Sequence, residues 1–167
     1  VDDDFLDNFK LNDVFVHPNY SFALMDSSLV MDTLMVKGIK VVTNKPKEYN
    51  WKQIEQKILF HTGQKFYFSK YYDRTHKNLA DLGIFNYIDV VFKEVPSDTS
   101  FRILDCHIHL KSAKQKEMGI EVEGNTGTGL QEGQALGTAL KYTYRDKNLF
   151  GGAESLSFNI HGGLETQ

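Results

Sequence analysis

The sequence predicts an α+β fold: a small sheet carrying two helices on one face, followed by consecutive antiparallel strands. Three observations predict it. Lys52–Leu59 and Ser69–Gly83 place apolar residues at helical spacing. The runs flanking them alternate apolar and polar residues with the period of a strand. After Ala113 the helical period does not return, and the apolar runs from Lys114 to Gln167 alternate.

The totals bound the answer. A chain of 167 residues suits one domain, or one domain plus an attachment, and 41% hydrophobic content supports a core. Aromatic residues make up 13%, with 12 Phe and 8 Tyr, which favours β structure. The formal net charge is −3 and no basic stripe with interleaved aromatics occurs, so nucleic acid is excluded as the expected partner. The one cysteine, Cys106, cannot form a disulfide within the chain and does not fix the compartment. No apolar run approaches the roughly 18 residues of a membrane-spanning helix. The opening VDDDFLDNF has neither the basic nor the apolar region of a signal peptide, and a mature exported protein would look the same.

Residues 1–8 form an acidic tail. Lys10–His17 reads as a strand ended by Pro18-Asn19, and Ser21–Ser28 shows no clear pattern. Leu34–Thr43 reads as two short strands around Lys37-Gly38, and NKPKEYN as a loop. In Lys52–Leu59, Ile54 and Ile58 stand four apart with Trp51 at the head, and His61-Thr62-Gly63 ends the helix. Ser69 is the expected N-cap of the second helix, in which Tyr72, Thr75, Leu79 and Leu82 recur before Gly83 supplies the positive φ that closes it. Phe85–Glu94 puts Ile88, Val90 and Phe92 on one face, and PSDTS is a turn. Phe101–Lys111 sets Leu104, Cys106, Ile108 and Leu110 against Asp105, His107 and His109. Residues 9–113 thus read strand, helix, helix, strand, strand, with a hairpin inserted within about residues 22–50.

Residues 114–167 have a different character. Met118, Ile120 and Val122 alternate with Gly119, Glu121 and Glu123, and GNTGTG reads as a loop. Leu140, Tyr142 and Tyr144 oppose Ala139, Lys141 and Thr143; after the turn RDKNLFGG, Leu156, Phe158 and Ile160 oppose Ser155, Ser157, Asn159 and His161. These three strands are each near the roughly 9–11 residues of a transmembrane β-strand. Apolar residues on one face and small or polar ones on the other is the pattern of outer-membrane barrel strands, lipid on one side and lumen on the other. The same alternation also fits an antiparallel sheet packed on the helical part. Closure takes roughly eight strands at least, so the first reading makes residues 114–167 the start of a truncated outer-membrane β-barrel.

Local motifs add a family resemblance. Lys57–Tyr67, KILFHTGQKFY, and Asn78–Val91, NLADLGIFNYIDVV, resemble stretches of the POTRA domain, whose element order is also strand–helix–helix–strand–strand. Asn78, Leu79, Leu82, Gly83 and Phe85 match its "N-L-x-x-L-G-x-F" passage, with Ile88 at the aliphatic position. IEVEGNTGTG and YRDKNLFGGAESLSFNIHGG resemble the start of the barrel in BamA/TamA-like outer-membrane assembly proteins of the bacterial surface antigen family. RDKNLFGGAE resembles their "R-N-L-F-x-G-A-E" turn, with a two-residue difference at Asp146-Lys147. The resemblance covers roughly residues 9–165. Phe22–Asn50 is longer than the family's link between first strand and first helix, one POTRA-like unit stands where several are usual, and most of the barrel is absent, which leaves the branch of the family open.

The resemblance implies a non-enzymatic component of outer-membrane protein assembly, insertion or translocation, needing no cofactor and no metal. It implies a bacterial outer-membrane location with this portion mainly periplasmic. Its partners would be unfolded or nascent outer-membrane clients, accessory lipoproteins or neighbouring POTRA domains, and outer-membrane lipid. Clients would add to the edge strand Tyr87, Ile88, Asp89, Val90, Val91, Phe92, Lys93, flanked by the first helix at Ile54, Ile58 and Leu59. The first barrel strand, Met118, Gly119, Ile120, Glu121, Val122, Glu123 and Gly124, would act as a gate, its glycines permitting bending. Leu140, Tyr142, Tyr144, Leu156, Phe158 and Ile160 would face lipid. Two alternatives are a dedicated exporter of one secreted partner and a soluble periplasmic protein-binding module.

The remaining chemistry is discounted. His107, His109 and Asp105 share a strand face, which a polar surface explains without a metal. Cys106 falls on the apolar side, opposite His107, and so lacks a base. GNTGTG lacks the Lys and the following helix of a phosphate loop, and Asp2-Asp3-Asp4 reads as a solvated end.

Overall fold

The computed structural model describes residues 9–19, 31–64, 68–96, 102–128 and 134–166. The acidic tail 1–8, Ser21–Ser28 and the turn residues 97–100 lie outside the described residues. The chain divides into two units, Val1–Ala113 with Phe150–Ala153, and Lys114–Leu149 with Glu154–Gln167.

The first unit holds β1 (Phe9–His17), β2 (Asp32–Val36), β3 (Ile39–Thr43), α1 (Trp51–Glu55), α2 (Phe68–Ala80), β4 (Phe85–Val95) and β5 (Arg102–Ser112). Its sheet runs β2-β3-β1-β5-β4. β1 lies parallel to both β3 and β5, while β2–β3 and β4–β5 are antiparallel hairpins. The inserted hairpin therefore extends the sheet on the far side of β1. Lys37 and Gly38 have φ of 44° and 95°, as the tightest hairpin turn requires. Asn19, at φ 62°, ends β1 in a conformation that Asn tolerates.

Leu11, Val14, Val16, Ile39, Val41, Cys106, Ile108 and Leu110 meet Trp51, Ile54, Ile58, Phe60, Leu79 and Ile84 in one core. Leu11 and Val14 stand three apart and would point to opposite faces of a regular strand. A bulge between them turns both inward. Asp105 holds the bulge, its Oδ1 accepting hydrogen bonds from Asn12 Nδ2 at 2.9 Å and from the Asp13 backbone N–H at 3.1 Å. The Leu11 backbone, beyond the residues that pair with β3, donates to the Gln64 carbonyl at 3.1 Å and accepts from the Gly63 N–H at 2.7 Å.

Two helix boundaries differ from expectation. The first helix ends at Glu55, not Leu59. Lys57 and Ile58 donate to the carbonyls of Ile54 and Glu55, a tightening last turn, and the chain then runs extended. Ile58 and Phe60 are both buried, and residues two apart share a face only on an extended chain. Gly63, at φ 82°, consequently serves the Leu11 contact rather than a helix end. The second helix starts at Phe68, so Ser69 lies inside it and is not its cap. Gly83 closes it as expected, with φ 66° and its N–H on the Ala80 carbonyl at 3.0 Å.

The second unit is an open antiparallel meander of β6 (Lys116–Thr128), β7 (Gln134–Asp146) and β8 (Leu156–Thr166). No closed barrel occurs among the described residues. The described part of GNTGTG is not a loop: Gly124 to Thr128 pair in register with Thr138 to Gln134. Its threonines favour strands, and its glycines adopt extended backbone once β7 supplies partners. At the end of β7, Asp146 Oδ1 accepts the Asn148 N–H at 3.0 Å and the Leu149 N–H reaches the Glu154 carbonyl at 3.1 Å.

Thr75 is fully buried, and its hydroxyl accepts the Leu59 N–H at 3.1 Å. Thr75→Val keeps the shape and removes the acceptor. Urea unfolding is expected to show a loss of about 1–3 kcal/mol, the cost of an unsatisfied buried donor.

Candidate functional site

β4 is one of the two outer strands of the five-stranded sheet, β2 being the other, and it is the strand on which the resemblance implies a client edge. Val90 is buried, and Ile88 and Phe92 pack against the core from the same face. Tyr87, Asp89, Val91 and Lys93 alternate onto the opposite face. A bulge between Phe85 and Tyr87 and the charged pair Glu94–Arg102, bonded at 2.9 Å and 3.0 Å, mark the two ends of the strand. Such devices limit uncontrolled pairing along an edge.

The expected flank by the first helix is corrected. α2 packs along β4, and α1 touches β2. The reason is topological: the inserted hairpin lies on the side of β1 away from β5 and β4, and α1 follows directly from its second strand, so α1 forms over that side of the sheet. Ile54 and Ile58 are buried in the core, and Leu59 lies beyond the helix end. None of the three forms a helical wall beside β4.

The described side chains of the second unit sort into an apolar and a polar face, with the Lys116–Asp146 pair ending the apolar one. Its register aligns Met118–Tyr144–Phe158, Ile120–Tyr142–Ile160 and Val122–Leu140–Gly162 across the strands. Met118, Ile120 and Val122 are 74%, 72% and 70% exposed. Leu140, Leu156, Phe158, Ile160 and Leu164 are exposed as well, and Tyr142 and Tyr144 are half-buried. The reverse face aligns Gly119–Thr143–Asn159 and Glu121–Lys141–His161. There Lys141 Nζ meets Glu121 Oε2 at 2.9 Å, and Arg145 Nε meets Ser157 Oγ at 3.3 Å. An apolar face this continuous marks a membrane or partner surface.

The two glycines assigned to the gate differ. A Cβ on Gly119 would stand 2.8 Å from Thr143 Oγ1, whereas one on Gly124 would meet open space. A side chain at Gly119 would have to displace a cross-strand neighbour, and the space left there is a depression bordered by Thr143, Arg145, Ser157 and Asn159. Gly124 has no such constraint.

The polar face of β5 holds more than the sequence disclosed. His107 and His109 are joined by His17 of β1, which pairs in register with His109. Periodicity shows which residues share one strand's face but not which strand lies beside it. Among the described residues, no group of three or more His, Cys, Asp or Glu is arranged to hold a metal ion. Cys106 is fully buried, and desolvation pushes its thiol well above the usual range, so it carries no thiolate chemistry.

No family model and no curated protein matches the chain. Solved structures that it resembles include BamA from Haemophilus ducreyi lacking POTRA domains 1–3, with 8% identity and a TM-score of 0.36 over 80% of this chain and 32% of that one. They also include CdiB from Acinetobacter baumannii, with 13% identity and a TM-score of 0.44 over 77% of this chain and 24% of that one. The chain thus spans about a third and a quarter of the two structures. At these scores the likeness is coarse, and the reading below rests on the chain's own strands.

Gly119→Ala should push against Thr143, and Thr143→Ala should relieve it. Thermal unfolding of both single variants and the double variant in detergent is expected to give a coupling of about 0.5–1 kcal/mol. Additive effects would mean that the strands shift apart without strain.

Proposed function

We propose that the chain is the barrel-proximal part of an outer-membrane protein assembly or translocation component. In this reading residues 9–113 are a POTRA-like domain that receives extended client chains along β4. Residues 114–167 are the first strands of a membrane barrel. The observation that carries the reading is the exposed apolar face of β6, β7 and β8, from Met118, Ile120 and Val122 to Phe158 and Ile160. Lipid is its expected cover, and the charged reverse face is expected to meet water. The motifs NLADLGIF and RDKNLFGGAE support the same reading, as does the β4 edge with its alternating side chains. A soluble binding module is disfavoured by the same face, because a self-contained sheet would bury Ile120 and Val122 rather than leave them 72% and 70% exposed.

In β4, the residues proposed to meet clients are Tyr87 to Lys93, with α2 rather than α1 as the neighbouring helix. In β6, Met118 to Gly124 would form the strand at which the barrel opens, and Gly119 would set its approach to β7. The client would be an extended segment with alternating apolar residues, the pattern that a sheet edge reads.

Sedimentation with phospholipid vesicles tests the membrane face. The chain is expected to pellet with vesicles, and Ile120→Lys with Phe158→Lys to stay largely in the supernatant, since each buried Lys costs about 2–4 kcal/mol at mid-membrane. A chain that remains a clean monomer in buffer and ignores vesicles would remove the membrane reading. An amide NMR titration with an extended apolar peptide tests the edge. Shifts concentrated at 87–93 are expected, and shifts scattered elsewhere would remove that assignment.

A further inference from the structure

We propose that His17, His107 and His109 form an acid-sensitive clasp across the β1–β5 seam, closing the sheet at neutral pH and loosening it in acid. The clasp stands whether or not β4 binds clients. β1 and β5 are parallel neighbours in the middle of the sheet, and His17 pairs in register with His109. His17 Nε2 lies 3.1 Å from His107 Nδ1, a hydrogen bond that needs one of the two nitrogens to be an unprotonated acceptor. The ring of His17 stands 5.3 Å from that of His107 and 5.2 Å from that of His109. His107 also stacks on Phe15 at 4.9 Å. Charging these rings would remove the acceptor and set like charges side by side in a partly buried site.

The surroundings compensate in part: Asp89 and Asp105 favour the protonated forms of His109 and His107, and burial outweighs them. From β4 come Lys93, which is unfavourable, and Asp89, whose Oδ2 lies 3.8 Å from His109 Nδ1. From β5 comes Asp105, which raises the affinity of His107 for a proton but is bonded to Asn12 and the Asp13 N–H. From β3 comes Lys40, ion-paired with Asp13 of β1 at 2.6 Å and lying over Phe15. Burial, then His109, His107 and Lys93, lower His17 to about 4. Burial is also the largest cause lowering His107 and His109. Groups depressed in the fold bind protons more readily in the unfolded chain. Their contribution is therefore intact above the unfolded value of 6.5 and is lost as pH falls toward about 4. Parting this seam would free the β4–β5 hairpin from the strand that carries Leu11, Val14 and Val16.

The test follows the histidine ring protons by NMR and the urea unfolding of the whole chain in neutral detergent. One ring is expected to titrate near 4 and two below 6.5. The unfolding constant should rise on the order of tenfold from about pH 7.5 to about pH 5, a window in which most carboxylates stay ionised. His17→Gln and His107→Asn keep a neutral polar group and should flatten that rise several-fold. Three rings titrating at the ordinary histidine value, or variants as acid-sensitive as the parent chain, would overturn the clasp. Should a variant fail to fold, the ring titration of the parent chain decides alone.

Discussion

A sheet has two faces, and each apolar face has to be covered by something. The two units of this chain meet that constraint in opposite ways. In the first, α1, α2 and the extended segment through Ile58 and Phe60 cover one face of five strands. The other face survives in water because it carries Lys40, Asp89, Lys93, Asp105 and the histidines. In the second, β6, β7 and β8 place most of their described charges on one face and leave the other largely apolar and exposed, with the Lys116–Asp146 pair at its end. The functional reading follows from this difference, because only an apolar surroundings makes such a face favourable.

Within the first unit, the central position of β1 organises the rest. Parallel pairing on both sides means that no tight turn can join β1 to either neighbour. The connection to β3 carries β2, and the longer path to β5 goes on from β3 through α1, α2 and β4. The bulge at Asn12-Asp13 reconciles this pairing with the core, since it lets Leu11 and Val14 both point inward. Asp105 then has two tasks. It satisfies the bulge with two hydrogen bonds and favours the protonated form of the neighbouring His107. Structural repair and electrostatic tension thus share one carboxylate.

Much of this was legible in the sequence. Period-two alternation found β5 and its two faces residue by residue, and it found the apolar stripes of β6, β7 and β8. Lys37-Gly38 located the hairpin, and Gly83 the end of α2. The failures are those of local signals meeting tertiary demands. Ile54 and Ile58 have helical spacing, yet the burial of Phe60 pulls the chain straight after Glu55. GNTGTG has loop composition, yet a partner strand holds it extended. Strand adjacency was hidden altogether, so neither the meeting of His17 with His109 nor the pairing of α2 with β4 was visible.

A bilayer can cover an apolar face, but it cannot satisfy a strand edge. In hydrocarbon each unpaired N–H or C=O costs several kcal/mol, by rough measure, which is why membrane sheets close on themselves. β6 and β8 are the outer strands of this meander, each with β7 as its described partner. If Ile120, Tyr142 and Ile160 face lipid, both outer edges require further strands beside them, from a longer chain or from other copies. The apolar face and the two edges are therefore linked requirements. Gly119 fits between them: it brings β6 close to Thr143 on the polar face while leaving Met118 and Ile120 on the apolar face undisturbed. In the proposed barrel, weakening at that position would act on the pairing of β6 with β7 and leave the apolar face as it is.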